Sequence, residues 1–127
     1  MRFGKFGSTR RNKYKAEKVT IDGITFDSKA EGEYYSQLRL MERAGEAKIL
    51  ELQPKVYLTK AKIEYRPDFH VDFGNQIVFV DVKGMETRDF KLKAKLWKYY
   101  GPGNLWLVEK NGFSFSIKKE IVPIKEE

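Results

Sequence analysis

The chain contains no cysteine, so disulfides and thiolate-held metals are excluded. Its single histidine is too few for a zinc centre built on several imidazoles. No apolar run approaches the roughly 20 residues that cross a bilayer as a helix, and no signal-peptide core stands out. A cytoplasmic protein with no membrane partner is therefore expected. What is there has the composition of a folded domain. The 41% hydrophobic and 14% aromatic residues argue against a disordered chain, and 127 residues suffice for one core.

Positive charge is in excess, and unevenly placed. Of the net +7, residues 1–18 contribute +6, with Arg2, Lys5, Arg10, Arg11, Lys13, Lys15 and Lys18 set against Glu17 alone. A basic arm on a near-neutral domain is the usual footprint of a nucleic-acid binder. Gly4, Gly7 and Ser8 favour flexibility, and Phe3, Phe6 and Tyr14 are rings that can stack on bases. Arg10, Arg11, Lys13 and Lys15 are accordingly candidate DNA-binding residues. The competing reading is a solubilising tail.

Order begins at Val19. Val19-Thr20-Ile21 and Ile24-Thr25-Phe26 flank Asp22-Gly23, a strong hairpin signal. Ser28-Lys29-Ala30-Glu31 is a capping-box pattern opening a helix to about Ala44, with Gly45 ending it. Its apolar stripe is Tyr34, Tyr35, Leu38 and Met41. Glu31 falls within about 20° of Leu38 on the helical wheel, so its carboxylate is aimed at the core side, where an unpaired charge is costly. A capping role and a chemical role both account for it.

The most informative stretch runs from Arg66-Pro67-Asp68-Phe69 to Val80-Asp81-Val82-Lys83-Gly84. Gly74-Asn75 accepts the positive φ of a two-residue hairpin loop. With that loop Phe73 faces Gln76 and Asp68 lies opposite Asp81, with Cβ atoms about 4.5–5.5 Å apart. Lys83 points to the same side as Asp81, because strand side chains alternate. One face then carries Asp68, His70, Asp72, Asp81 and Lys83, and the other carries Phe69, Val71, Phe73, Val78, Val80 and Val82. Two carboxylates so close repel, and a hard cation is the usual remedy; the bland alternative is a solvated, charged face. Before this hairpin, Ile49–Leu52 and Val56–Leu58 read as extended, broken at Gln53-Pro54. Gln53 is a possible accessory contact and, as a turn residue, an ordinary structural one.

A second helix is predicted from near Thr87 to Tyr100, ended by Gly101-Pro102-Gly103. Leu92, Leu96, Tyr99 and Tyr100 form its expected inner stripe. Lys91, Lys95 and Lys98 make an outer basic ridge suited to phosphates, while Lys93 lies about 20° from Tyr100 on the inner side, within possible reach of the carboxylates. Leu105–Val108 reads as a buried strand, and Asn111-Gly112 turns the chain into Phe113–Ile117. The expected division is a flexible basic arm at 1–18, one domain at 19–117 and a loose tail at 118–127. The expected fold is α/β (α+β), with a mixed sheet of four to five strands flanked by two main helices.

Pro67-Asp68 followed by Asp81-Val82-Lys83 resembles the PD-(D/E)xK, or restriction-endonuclease-like, nuclease superfamily. Its helix, three-strand meander, helix, strand core covers about Phe26 to Val108. The Phe26-Asp27-Ser28-Lys29-x-Glu31 opening, Leu52-Gln53-Pro54, Asp68-Phe69, Asp81-Val82-Lys83-Gly84 and Lys91-Leu92-Lys93-x-Lys95-Leu96 are similar to a family of small phage proteins. The phage endonuclease I that resolves Holliday junctions is a functional analogue. The resemblance implies a metal-dependent DNA endonuclease. Asp68, Asp81 and the Val82 carbonyl would bind Mg²⁺ or Mn²⁺, Lys83 would serve the attacking water and the phosphate, and Glu31 would be the helix carboxylate, a ligand for a second ion. A homodimer acting on branched DNA is the finer expectation. A catalytically silent DNA-binding module, an RNA-directed nuclease and a structural phage protein are the alternatives.

Overall fold

The computed structural model describes residues 17–124. Most of the basic arm, including Arg10, Arg11, Lys13 and Lys15, lies outside the described residues. The described residues open with a small hairpin, β1 (Val19–Ile21) and β2 (Ile24–Phe26), turned by Asp22 and Gly23. Helix α1 (Lys29–Arg43) begins at Ser28, whose Oγ accepts the Glu31 amide at 3.1 Å. It ends where Gly45 takes φ +76, so that the amides of Gly45 and Glu46 reach the carbonyls of Glu42 and Met41. That pairing satisfies the last helical carbonyls. The hairpin lies directly on α1: a Cβ at Gly32 would meet Val19 at 2.6 Å.

Five strands form the central sheet: β3 (Lys48–Leu52), β6 (Phe69–Asp72), β7 (Ile77–Val82), β8 (Asn104–Asn111) and β9 (Ser114–Ile121), in the order β9-β8-β7-β6-β3. Among the described strands only β7 and β8 are parallel, and α2 (Arg88–Tyr100) makes the crossover between them. Between β3 and β6, β4 (Val56–Leu58) and β5 (Ile63–Tyr65) form a separate two-stranded ribbon. This is the α+β architecture expected, with a mixed five-stranded sheet between two helices.

Both faces of the sheet are covered, which is why β7 reads as a near-continuous apolar run. On one side Phe69, Val71, Val78, Val80 and Val82 pack with Phe26, Tyr34, Tyr35 and Leu38. On the other, Phe79, Leu105 and Leu107 pack with Trp97 and Phe90 of α2 and with Leu58 and Tyr65 of the ribbon. The second face is therefore not the charged surface that the alternation suggested. Phe79 is buried there, and the His70 ring stacks on it at 4.0 Å.

Two further expectations are corrected. The inner stripe of α2 is Phe90, Ala94, Leu96 and Trp97, whereas Leu92 (53% exposed), Tyr99 and Tyr100 face outward. Trp97 sets the rotation: it is fully buried, and its indole N–H donates to the Gly103 carbonyl at 2.7 Å. The tail placed at 118–127 is ordered through its first part. Strand β9 runs past a bulge after Ile117 to the buried Ile121, and the Ile124 amide donates to the Lys98 carbonyl.

Candidate active site

The site is built by the β6–β7 hairpin in the register that its turn dictates. Phe69 pairs with Val80, Val71 with Val78 and Asp72 with Ile77, and the Phe73 amide donates to the Gln76 carbonyl at 2.9 Å. Gly74 takes φ +93, and its amide is held by Asp72 Oδ1. One rung beyond the last pair, Asp68 stands across from Asp81. The two sit at the carboxyl end of β7, the central strand, beside the parallel β8. Ligands in α/β sheets are commonly met at such strand ends.

Each carboxylate is fixed by other groups. Asp68 Oδ2 accepts the Val82 amide at 2.8 Å, and the Asp68 carbonyl accepts the Gln53 amide at 2.8 Å. Asp81 is 1% exposed, the one charged residue buried in the core among the described residues. Its Oδ2 accepts the Tyr65 hydroxyl, and Lys83 Nζ stands 3.8 Å from the same oxygen. Lys83 is placed by its own amide, which donates to the Val108 carbonyl of β8 at 2.9 Å, and its ammonium lies 5.5 Å from the Phe90 ring centroid. The cation thus rests against an aromatic wall with about a third of its side chain exposed.

The electrostatics are those of too much negative charge in too little water. Burial first, then the charge of Asp81, then Glu31, hold the Asp68 carboxyl well above the usual carboxylate range. Burial also raises Glu31, on the first turn of α1, with smaller effects from Asp27, Asp81 and Lys83. The Tyr65 hydroxyl is pushed far up by burial and by Asp81. It stays protonated and donates to Asp81 Oδ2.

The predicted residues divide clearly. Asp68, Asp81 and Lys83 are brought together; of Val82 it is the backbone amide, rather than the expected carbonyl, that is bonded to Asp68, while its side chain packs in the core. Glu31 closes the N-terminus of α1: its amide donates to Ser28 Oγ, and its Oε1 accepts the Asp27 amide at 3.1 Å. It is near enough to feel the pair without joining it. Gln53 is a turn residue (φ 50) that anchors the backbone of Asp68. Lys91 and Lys95 are exposed on α2 and line an open groove of about 500 Å³ with Lys98 and Lys119. Lys93 turns inward, as the wheel suggested: its Nζ is 5.9 Å from the Tyr65 ring centroid and 3.5 Å from Asp89 Oδ2. Tyr65 itself was missed. Its alternation in Ile63-Glu64-Tyr65 marks it as inward-facing, but nothing local says that it meets Asp81.

As to a metal, the adjacent donors are carboxylate oxygens, which suit a hard cation. Among the described residues no group of three or more His, Cys, Asp and Glu side chains is gathered into a cage. Asp68 and Asp81 alone could hold such an ion. That fits Mg²⁺, which is commonly bound by one or two carboxylates, with waters and substrate phosphates completing its shell.

No curated protein matches the chain. A protein family does, over residues 11–114, a span that includes Glu31, Asp68, Asp81 and Lys83. Since that match covers most of the sequence, the chain belongs to the family described as "Protein of unknown function (DUF1064)".

Proposed function

We propose that this protein is a metal-dependent endonuclease that hydrolyses phosphodiester bonds in DNA. One observation carries the reading: a buried Asp81 facing a half-buried Asp68 with a lysine beside them, at the carboxyl end of the central strand. Asp68 and Asp81 would hold Mg²⁺ or Mn²⁺, and such an ion, when bound, polarises the phosphate and lowers the pKa of water. The chain's own residues do the rest. Tyr65 keeps Asp81 Oδ2 oriented by donating to it. The Val82 amide does the same for Asp68. Lys83 aligns the attacking water and offsets the negative charge that gathers on the phosphate oxygens. Glu31 adds a carboxyl of raised proton affinity at the first turn of α1.

DNA is favoured by the charge distribution, with +6 of the net +7 on residues 1–18, and by the exposed Lys91, Lys95 and Lys98. The finer reading is branched DNA cut by a homodimer. An arm apart from a near-neutral domain suits a second duplex, and one carboxylate cluster cuts one strand at a time, so paired incisions require two copies. A silent DNA-binding module of the same fold is favoured by one observation: Glu31 is engaged by the Asp27 amide rather than completing a carboxylate triad.

The test is incubation with labelled linear, single-stranded, flapped and four-way DNA in Mg²⁺, Mn²⁺ or EDTA. Cleavage that needs the ion and is lost in Asp81→Asn and Lys83→Ala, with circular dichroism unchanged, is the expected result. Cleavage surviving in EDTA or in either variant removes the assigned site. DNA binding with no cleavage in any ion selects the silent module. Light scattering and a preference for four-way DNA over linear duplex test the finer reading.

A further inference from the structure

We propose that the β4–β5 ribbon is a nucleic-acid-gripping wing, its outer face and tip holding the backbone of the substrate beside the scissile phosphate. The proposal rests on the nuclease reading in one respect, that the ligand is a nucleic acid.

The ribbon is separate from the central sheet, and its two faces differ sharply. Its inner face is closed at Leu58 and Tyr65, which are buried against α2, with the Tyr65 ring 5.8 Å from Trp97 and 6.3 Å from Phe90, while Ile63 nearer the tip stays 40% exposed. The Tyr65 hydroxyl is bonded to Asp81, so the base of the ribbon is tied to the carboxylate pair. On the outer face Tyr57 pairs with Glu64 and is 50% exposed. Glu64 is neutralised by Arg66 at 2.7 Å. The other charges of the ribbon are Lys55, Lys60 and Lys62, all exposed. None of the three has a carboxylate within ion-pair distance among the described residues.

The tip is held in a costly shape. Thr59 has φ 74 and Lys62 φ 60, left-handed backbone that a β-branched threonine rarely accepts. The turn is secured by the Lys62 amide on the Thr59 carbonyl and the Ala61 amide on Thr59 Oγ1, both at 3.0 Å. Strain of this kind persists where the surroundings fix it, often at a ligand clamp. Here its product is a turn presenting two unpaired lysines. Along a strand, three residues from Tyr65 to Lys62 span roughly 10 Å, about three nucleotides of rise in one DNA strand. A two-stranded ribbon also fits the DNA major groove. An anionic, regularly spaced backbone is thus the ligand that this surface matches in charge and reach.

The experiment is fluorescence anisotropy of a labelled duplex with the full-length chain across a salt series, in EDTA and again at fixed Ca²⁺. The Lys60→Gln/Lys62→Gln double variant should reduce the log–log salt slope by about 1.8, since each phosphate contact contributes about 0.9. That corresponds to roughly 60-fold weaker binding at 0.1 M salt if the loss is purely counterion release. Tyr57→Ala should weaken binding without changing the slope. The Lys60→Arg/Lys62→Arg double variant should keep the wild-type slope. Lys48→Gln, at the end of the β3–β6 pair away from Asp68, should leave it alone. Melting curves check that each variant folds. An unchanged slope in the double variant, or an equal loss in Lys48→Gln, overturns the proposal while leaving the nuclease reading intact. Wild-type binding with no cleavage once Mg²⁺ or Mn²⁺ replaces Ca²⁺ overturns the nuclease reading while the slopes still decide the wing. A wild-type chain that binds no duplex in either condition overturns the wing.

Discussion

Replacing Asp68 by asparagine should stabilise the metal-free protein at pH 8 and leave it nearly unchanged at pH 4. Asp68 is raised above its usual range by burial and then by Asp81. The unfolded chain, with an aspartate pKa of about 3.9, therefore gives up this proton at lower pH than the folded one. Between the two values the native state binds more protons, so stability falls as pH rises from about 4 through the elevated pKa. Coulomb's law sets the scale of the penalty. Two unit charges about 4 Å apart interact by about 4 kcal/mol at an effective dielectric of 20. Lys83, 3.8 Å from Asp81, offsets part of it, leaving about 2–3 kcal/mol. Asparagine removes that repulsion, and its amide oxygen can still accept the Val82 amide. For a chain of this size the gain is about 10 °C in melting temperature. Thermal melts of both proteins from pH 4 to 9 in EDTA are the assay. The wild type should fall progressively behind the variant as pH rises. Saturating Mg²⁺ should reverse the order, since a ligand at 100 times its Kd contributes about 2.7 kcal/mol and the variant loses a ligand. Parallel curves at every pH would refute the carboxylate repulsion, and with it the argument for a cation.

Three other changes test neighbouring parts. Tyr65→Phe keeps the ring against Trp97 and Phe90 but removes a donor to a buried carboxylate, a bond of about 1.5–3 kcal/mol. A lower melting temperature and slower cleavage are expected, and an unaltered rate would make Tyr65 merely structural. Glu31→Gln retains an acceptor for the Asp27 amide, so the fold should hold within a degree or two while cleavage drops about tenfold or more; full activity would leave only the capping role. Deleting residues 1–18 should weaken DNA binding and flatten its salt dependence, whereas an identical slope would make the arm a bystander.

The parts of this structure that local chemistry determines were legible in the sequence. Gly74-Asn75 fixed the hairpin register and hence the meeting of Asp68 with Asp81. Ser28 and Gly45 marked the ends of α1, and Thr87 marked the start of α2. What was illegible depends on partners distant in sequence. Alternation places Phe79 beside the charged residues, but only α2 and the ribbon, arriving from elsewhere, bury it. Periodicity along α2 is ambiguous because Leu92, Tyr99 and Tyr100 compete with Phe90 and Trp97 for the inner face. The indole bond to Gly103 decides it, and no wheel contains that bond. Tyr65 belongs to the same class, since its role exists only once β5 is folded against the end of β7.

The amide bond from Lys83 to the Val108 carbonyl also bears on how the site is assembled as the chain folds. The two carboxylates are joined by a tight turn and can meet through local contacts alone. The lysine's position depends on β8, which arrives only after the whole of α2 has crossed the sheet. Contacts that close longer loops carry a larger entropic cost before they are rewarded. The carboxylates are therefore a local product of folding and the lysine a late one. Any lesion that loosens the docking of β8, at Leu105 or Leu107 for example, would uncouple them, leaving a chain able to attract a cation yet lacking the ordered amine beside it.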